Sequence, residues 1–138
     1  MAPDRAALAG ARVLVTGASR GYGAAIARAL SAAQAHLVLT ATSTAHLARV
    51  VEDCRADGAA CEAVDLDLHS STSVDAAAAQ VADLVPRLEG VVLNAGVLGP
   101  VGPLADSDPD AIRTAIEVDL VNQVRLLQRL SPLIADRA

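Results

Sequence analysis

Short apolar runs alternate with longer runs of helical period along the whole chain. Residues 12–16, Arg-Val-Leu-Val-Thr, are nearly continuous in apolar character, the pattern of a strand buried on both faces. The Ala-rich stretch 21–33 favours helix. Residues 35–40 predict a second strand. Thr44 is suited to cap a helix that runs through Leu47, Val50 and Val51 to residue 56, where Gly58 stops it. Residues 60–64 predict a third, weaker strand. Ser71, Thr72 or Ser73 opens the next helix, which carries Val74, Ala78, Val81 and Val85 and is ended by Pro86 and Gly90. Residues 90–93 predict a fourth strand and 99–103 a loop. Ser107 to Pro109 then start a last helix that runs to the C-terminus, with Pro tolerated in its first turn. Strands alternating with helices in this order predict an α/β fold, a parallel sheet joined by right-handed crossovers.

The last helix is apolar on more than one side. Ile112, Ile116, Val124 and Leu127 form one face; Val118, Val121, Leu126, Leu130 and Leu133 form another. One face suits the sheet, and the other implies a partner surface, met by a second copy or a partner chain.

Composition narrows the classes. The chain has 138 residues, 53% apolar and 20% charged, which suits one globular domain at ~100–200 residues per domain. No apolar run approaches the ~18 residues of a membrane span, and Met1–Arg5 lack the block of a secretory signal. The net charge is −5 and all eleven cations are Arg, without a cluster, so no nucleic-acid footprint is expected. Cys54 and Cys61 read as reduced core thiols, and the compartment expected is the cytoplasm. His36, His46 and His69 have no metal-ligand spacing, and no metal is assigned.

The chemistry sits after the first strand, in Thr16-Gly17-Ala-Ser-Arg-Gly21-Tyr-Gly23, with a helix following. A tight strand-to-helix turn favours Gly17. Close approach of backbone to a pyrophosphate favours Gly21, and close packing of helix on strand favours Gly23. The helix N-terminus offers N–H groups and a partial positive charge to phosphates. A Walker-type phosphate loop is excluded, because it needs a Lys and the chain has none.

With this loop the chain resembles the short-chain dehydrogenase/reductase family. The resemblance rests on Thr16, Gly17, Gly21 and Gly23, on Asp65 after the third strand, and on Asn94-Ala95-Gly96 after the fourth. It covers nearly the whole chain but only the amino-terminal half of the family's fold. It implies a Rossmann-like doubly wound sheet of strand order 3-2-1-4, cut short, so that residues 1–138 form one NAD(P)-binding domain incomplete at its C-terminus. The fourth strand would then be an open edge. It also implies that Asp65 bonds the adenine, that Asn94 to Gly96 border the ribose, and that Ser19, Arg20 and Tyr22 line the cofactor.

NADP is expected over NAD. An NAD site places a carboxylate at the end of the second strand, and this chain reads Thr40-Ala41-Thr42-Ser43 there. Arg20 stands where NADP-using relatives carry a basic residue, although Thr42 replaces the Arg many of them add. The family's hydride chemistry uses a Tyr with a Lys four residues on and an upstream Ser. The chain has no Lys, and its single Tyr, Tyr22, is in the glycine loop, so no catalytic residue is assigned. Asp119 takes the place of the family's Asn on the long helix. Asn122, ~300° round and ~4.5 Å along, is not a substitute, and both otherwise read as polar surface. The function expected is the NADP-binding part of a hydride-transferring oxidoreductase, inactive alone. The alternatives are a non-catalytic dinucleotide-binding or sensing module, or a truncated product without function of its own.

Overall fold

The computed structural model describes residues 6–134. The readings made for Met1–Arg5 and for the end of the last helix at 135–138 lie outside those residues.

Four strands form one parallel sheet, β1 (Arg12–Val15), β2 (His36–Ala41), β3 (Cys61–Asp65) and β4 (Gly90–Val92), in the order β3-β2-β1-β4. The register pairs Leu14 with both Val38 and Val91. Alternate residues of each strand feed opposite layers. Val13, Val15, Leu37 and Leu39 pack with α1 (Gly21–Ala32) and α2 (Ala48–Ala56). Leu14, Val38 and Val64 pack under α3 (Ser71–Leu84) and the last helix. Burial on both faces explains the continuous apolar runs of β1 and β2.

Two caps differ from the expected ones. Ser43, not Thr44, caps a short 3-10 turn, Thr44–Leu47, that precedes α2. Ser70 caps α3 through the N–H of Ser73. In both places the hydroxyl one residue earlier reaches the free amides of the first turn.

The last helix is not uniform. It starts as α4 (Pro109–Ile116), capped by Asp108. It widens into a π-helical segment over Glu117–Val121 and continues as α5 (Asn122–Leu130). Val118, Leu126 and Leu130 are buried as expected, whereas Val121 is 46% exposed. The wider turn re-phases the helix, so Val121 joins the outer face with Ile116, Leu120 and Val124. Two arginines fix α5 to α3: Arg125 forks onto Asp75 at 2.9 and 2.6 Å, and Arg129 adds a bond of 2.9 Å.

Beside β4, the backbone N–H of Glu89 goes to Arg12 on β1, and that of Leu88 goes to Leu133 at 2.6 Å. Neighbouring amides on a strand point to opposite sides, so a parallel bridge between Leu88 and Ile134 occupies the outer side at the start of β4. The outer edge is therefore not wholly open. Both cysteines are free and buried, and burial pushes the Cys61 thiol up to about 12. Among the described residues no helix is long and apolar enough to cross a membrane.

Candidate functional site

The order of the sheet reverses between β1 and β4, and the loops leaving their carboxyl ends meet there, where open α/β sheets place ligands. Thr16 ties the two loops together. Its hydroxyl oxygen accepts the N–H groups of Asn94 and Ala95 at 3.0 and 3.1 Å. The Asn94 side chain answers by donating to the carbonyl oxygens of Thr16 and Gly17, each at 3.1 Å.

The three loop glycines have different surroundings. Gly17 has φ +63°, and a Cβ there would lie 2.9 Å from the Cα of Ala95. Gly23 is pressed against the Gly17 carbonyl and the Asn94 side chain. Gly21, at φ +56°, faces open space, so its backbone is bare toward the cleft. Helix α1 also begins without a side-chain cap, with Arg20 extended at its N-cap. Helices α3 and α4 start on Ser70 and Asp108, whose oxygens take first-turn amides. Among the described residues the amides that open α1 have no such side-chain acceptor.

A cleft of about 790 Å³ opens over this point. Of the residues expected to bind a dinucleotide, Gly17, Ser19, Arg20, Gly21 and Tyr22 line it from the first loop. Thr42 lines it from the end of β2, and Asn94, Ala95 and Gly96 from the end of β4. Gly23 lies buried beneath the loop. Asp65 is not on the wall. It stands exposed at the end of β3, where its carboxylate accepts the N–H of Thr44 at 2.6 Å.

The wall includes residues that pattern reading left out. Thr40 and Ala41 form part of it, and the Thr40 hydroxyl is buried without a partner among the described residues. His46 contributes from the 3-10 turn. Leu66, Asp67, Leu68 and His69 contribute from the loop after β3. Asp67 accepts both the backbone N–H of His69, at 2.9 Å, and its ring Nδ1, at 3.0 Å. Those bonds hold the Asp67 carboxyl below the usual range.

Asp119 and Asn122 are not idle surface. Asp119 accepts the N–H of Val97 at 2.8 Å and so fixes the loop after β4. Asn122 is 1% exposed and donates to the carbonyl of Leu68 at 2.7 Å. Gln123 donates to Ala95 at 2.8 Å. The π segment and the first turn of α5 thus deliver three bracing contacts to cleft-lining loops. Only a long-range contact map would reveal them, and short spacing carries no such signal.

Comparison with known proteins agrees with this geometry. A human protein named hydroxysteroid 11-beta-dehydrogenase 1-like is 37% identical over 134 residues, 96% of this chain and 42% of its own length. A metagenomic short-chain oxidoreductase solved in complex with NADP is 38% identical, with a TM-score of 0.84 over 91% of this chain and 57% of that one. A short chain dehydrogenase from Escherichia coli CFT073, complexed with NADPH, is 31% identical, with a TM-score of 0.88 over 95% of this chain and 56% of that one. The chain spans about half the length of these relatives. The model of the short chain dehydrogenase family matches residues 11–138, so this chain belongs to that family.

Proposed function

We propose that this chain is the NADP-binding part of a short-chain dehydrogenase whose whole-protein reaction is hydride transfer between nicotinamide and a carbonyl or alcohol. The observation that carries the reading is the bare Gly21 backbone at an uncapped helix start, opening on the same cleft as Arg20 and Thr42. A Cβ at Gly21 would fill the space a phosphate needs, and free amides with a helix dipole favour an anion there. The orphaned Thr40 hydroxyl on the cleft wall also fits a polar ligand. Structural relatives bound to NADP and NADPH support the choice of dinucleotide.

The nicotinamide, when bound, supplies or accepts the hydride. This chain's residues bind and orient: the α1 amides hold the diphosphate, and Asn94 to Gly96 border the adenosine ribose. Arg20 matches a 2′-phosphate in charge, and no carboxylate at the end of β2 opposes it. Asp65, through the carboxylate oxygen not bonded to Thr44, is proposed for the adenine edge. Tyr22 is 86% exposed on the loop and packs on the cofactor rather than transferring protons. With no Lys and no second Tyr, the chain has no paired general acid, so alone it turns nothing over. The outer face of α4 and α5, with Ile116, Leu120 and Val124 about half exposed, is proposed as the surface that meets a second copy or partner chain.

A fluorescence titration tests this. NADPH should bind at least ~10-fold tighter than NADH, ~1.4 kcal/mol. The purified chain should not consume NADPH with simple carbonyl substrates. Equal affinities would overturn the NADP reading, and turnover would overturn the claim of inactivity.

A further inference from the structure

The rim of the cleft at the end of β2 carries a third polar side chain that the glycine loop does not account for. His46 lies on the wall that also holds Arg20 and Thr42. Its backbone is fixed. The N–H of His46 goes to the Ser43 carbonyl at 3.0 Å, and the N–H of Thr44 goes to the Asp65 carboxylate at 2.6 Å. Leu47, the next residue, is fully buried and anchors the turn in the core. The His46 ring is exposed on this fixed support.

No hydrogen bond or ion pair joins the side chains of Arg20, Thr42 or His46 to another described residue. Arg28, Arg55, Arg113, Arg125 and Arg129 behave differently, since each is spent on a nearby carboxylate. Three unspent donors lining one cleft are complementary to a ligand with several acceptor oxygens and negative charge. The cation that Thr42 lacks is offset by a ring donor four residues later, one turn into the next element.

We infer that His46 is a specificity-determining residue, donating with Arg20 and Thr42 to the 2′-phosphate of the dinucleotide. The inference rests on the NADP reading of the cleft and assigns to His46 the discrimination that Thr42 alone does not supply. The 3-10 turn fixes the backbone of His46, so on binding only its two side-chain torsions remain to be ordered.

The test uses the purified chain, with NADPH against NADH and 2′,5′-ADP against 5′-AMP as probes. His46→Ala should weaken NADPH and 2′,5′-ADP about 5- to 10-fold and leave NADH and 5′-AMP unchanged. His46→Gln, which keeps a donor, should fall between. In NMR spectra the His46 ring signals should shift with 2′,5′-ADP and not with 5′-AMP. His46→Ala with native affinity for 2′,5′-ADP would overturn the inference and leave the NADP reading standing. Equal loss toward all four probes would overturn it as well, because that is a packing effect. A native chain that binds none of the four would bring down the cleft reading and this inference with it.

Discussion

Gly23 sits against the carbonyl oxygen of Gly17 with no room for a side chain between them. The helix start and the turn that precedes it are therefore interlocked, and the Asn94 side chain closes the third side, 2.6 Å from where a Cβ of Gly23 would stand. Gly23→Ala should cost ~1–3 kcal/mol of stability through overpacking and abolish detectable NADPH binding. Gly21→Ala has open space and strains only its left-handed backbone, ~1–2 kcal/mol, yet places a methyl where the ligand approaches. Denaturant melts and NADPH titrations of both variants check this, with binding lost in each.

Asn94 is the lace between the two cleft loops. Asn94→Ala removes both donors and should destabilise the fold by ~1–3 kcal/mol. Asn94→Asp should be worse despite equal size, because a carboxylate would face the two carbonyl oxygens that the amide now satisfies. Urea midpoints rank the two. An Asp variant as stable as the native chain would contradict the hydrogen-bond assignment.

Much of this was legible in the chain. Continuous apolar runs such as 12–16 reveal strands buried on both faces, and Gly17, Gly21 and Gly23 form a motif within seven residues. Asn122 was not legible, because its partner, the Leu68 carbonyl, is 54 positions away and polar residues on helices usually face water. The contributions of Leu66 to His69 depend on where β3 ends. That strand ends one residue later than its propensities indicate, and small shifts of register decide which side chains reach the cleft. His46 carries no such signal either, because the 3-10 turn that brings it to the cleft wall leaves no pattern in the sequence.

Asn122→Ala should leave the Leu68 carbonyl buried without its donor and cost ~1–3 kcal/mol. The same variant should loosen the loop after β3, seen as faster amide exchange at Leu68 and His69. Unchanged exchange there would show that Asn122 does not brace the wall.

Asp75 couples α3 to α5 under acid control. Hydrogen bonds from Arg125 and then Arg129 hold its carboxyl well below the usual carboxylate range. Its stabilisation is complete above the ordinary value, ~3.9, and is lost as pH falls through the lowered folded-state value. Asp75→Asn should lower stability at neutral pH and flatten the acid limb of the stability profile. Salt should shrink the difference, since all three side chains are partly exposed.

The widened winding at Glu117–Val121 holds one residue more than a uniform spiral would. Even winding with the same number of residues would rotate everything beyond it by about 100° relative to α4. Asn122 would swing off Leu68 and Gln123 off Ala95, while the Asp108 cap and the sheet stayed as they are. In evolutionary terms this stretch is a buffer: one codon lost from it is taken up by the winding, and the side chains beyond keep their aim at the loops without asking the rest of the chain to change.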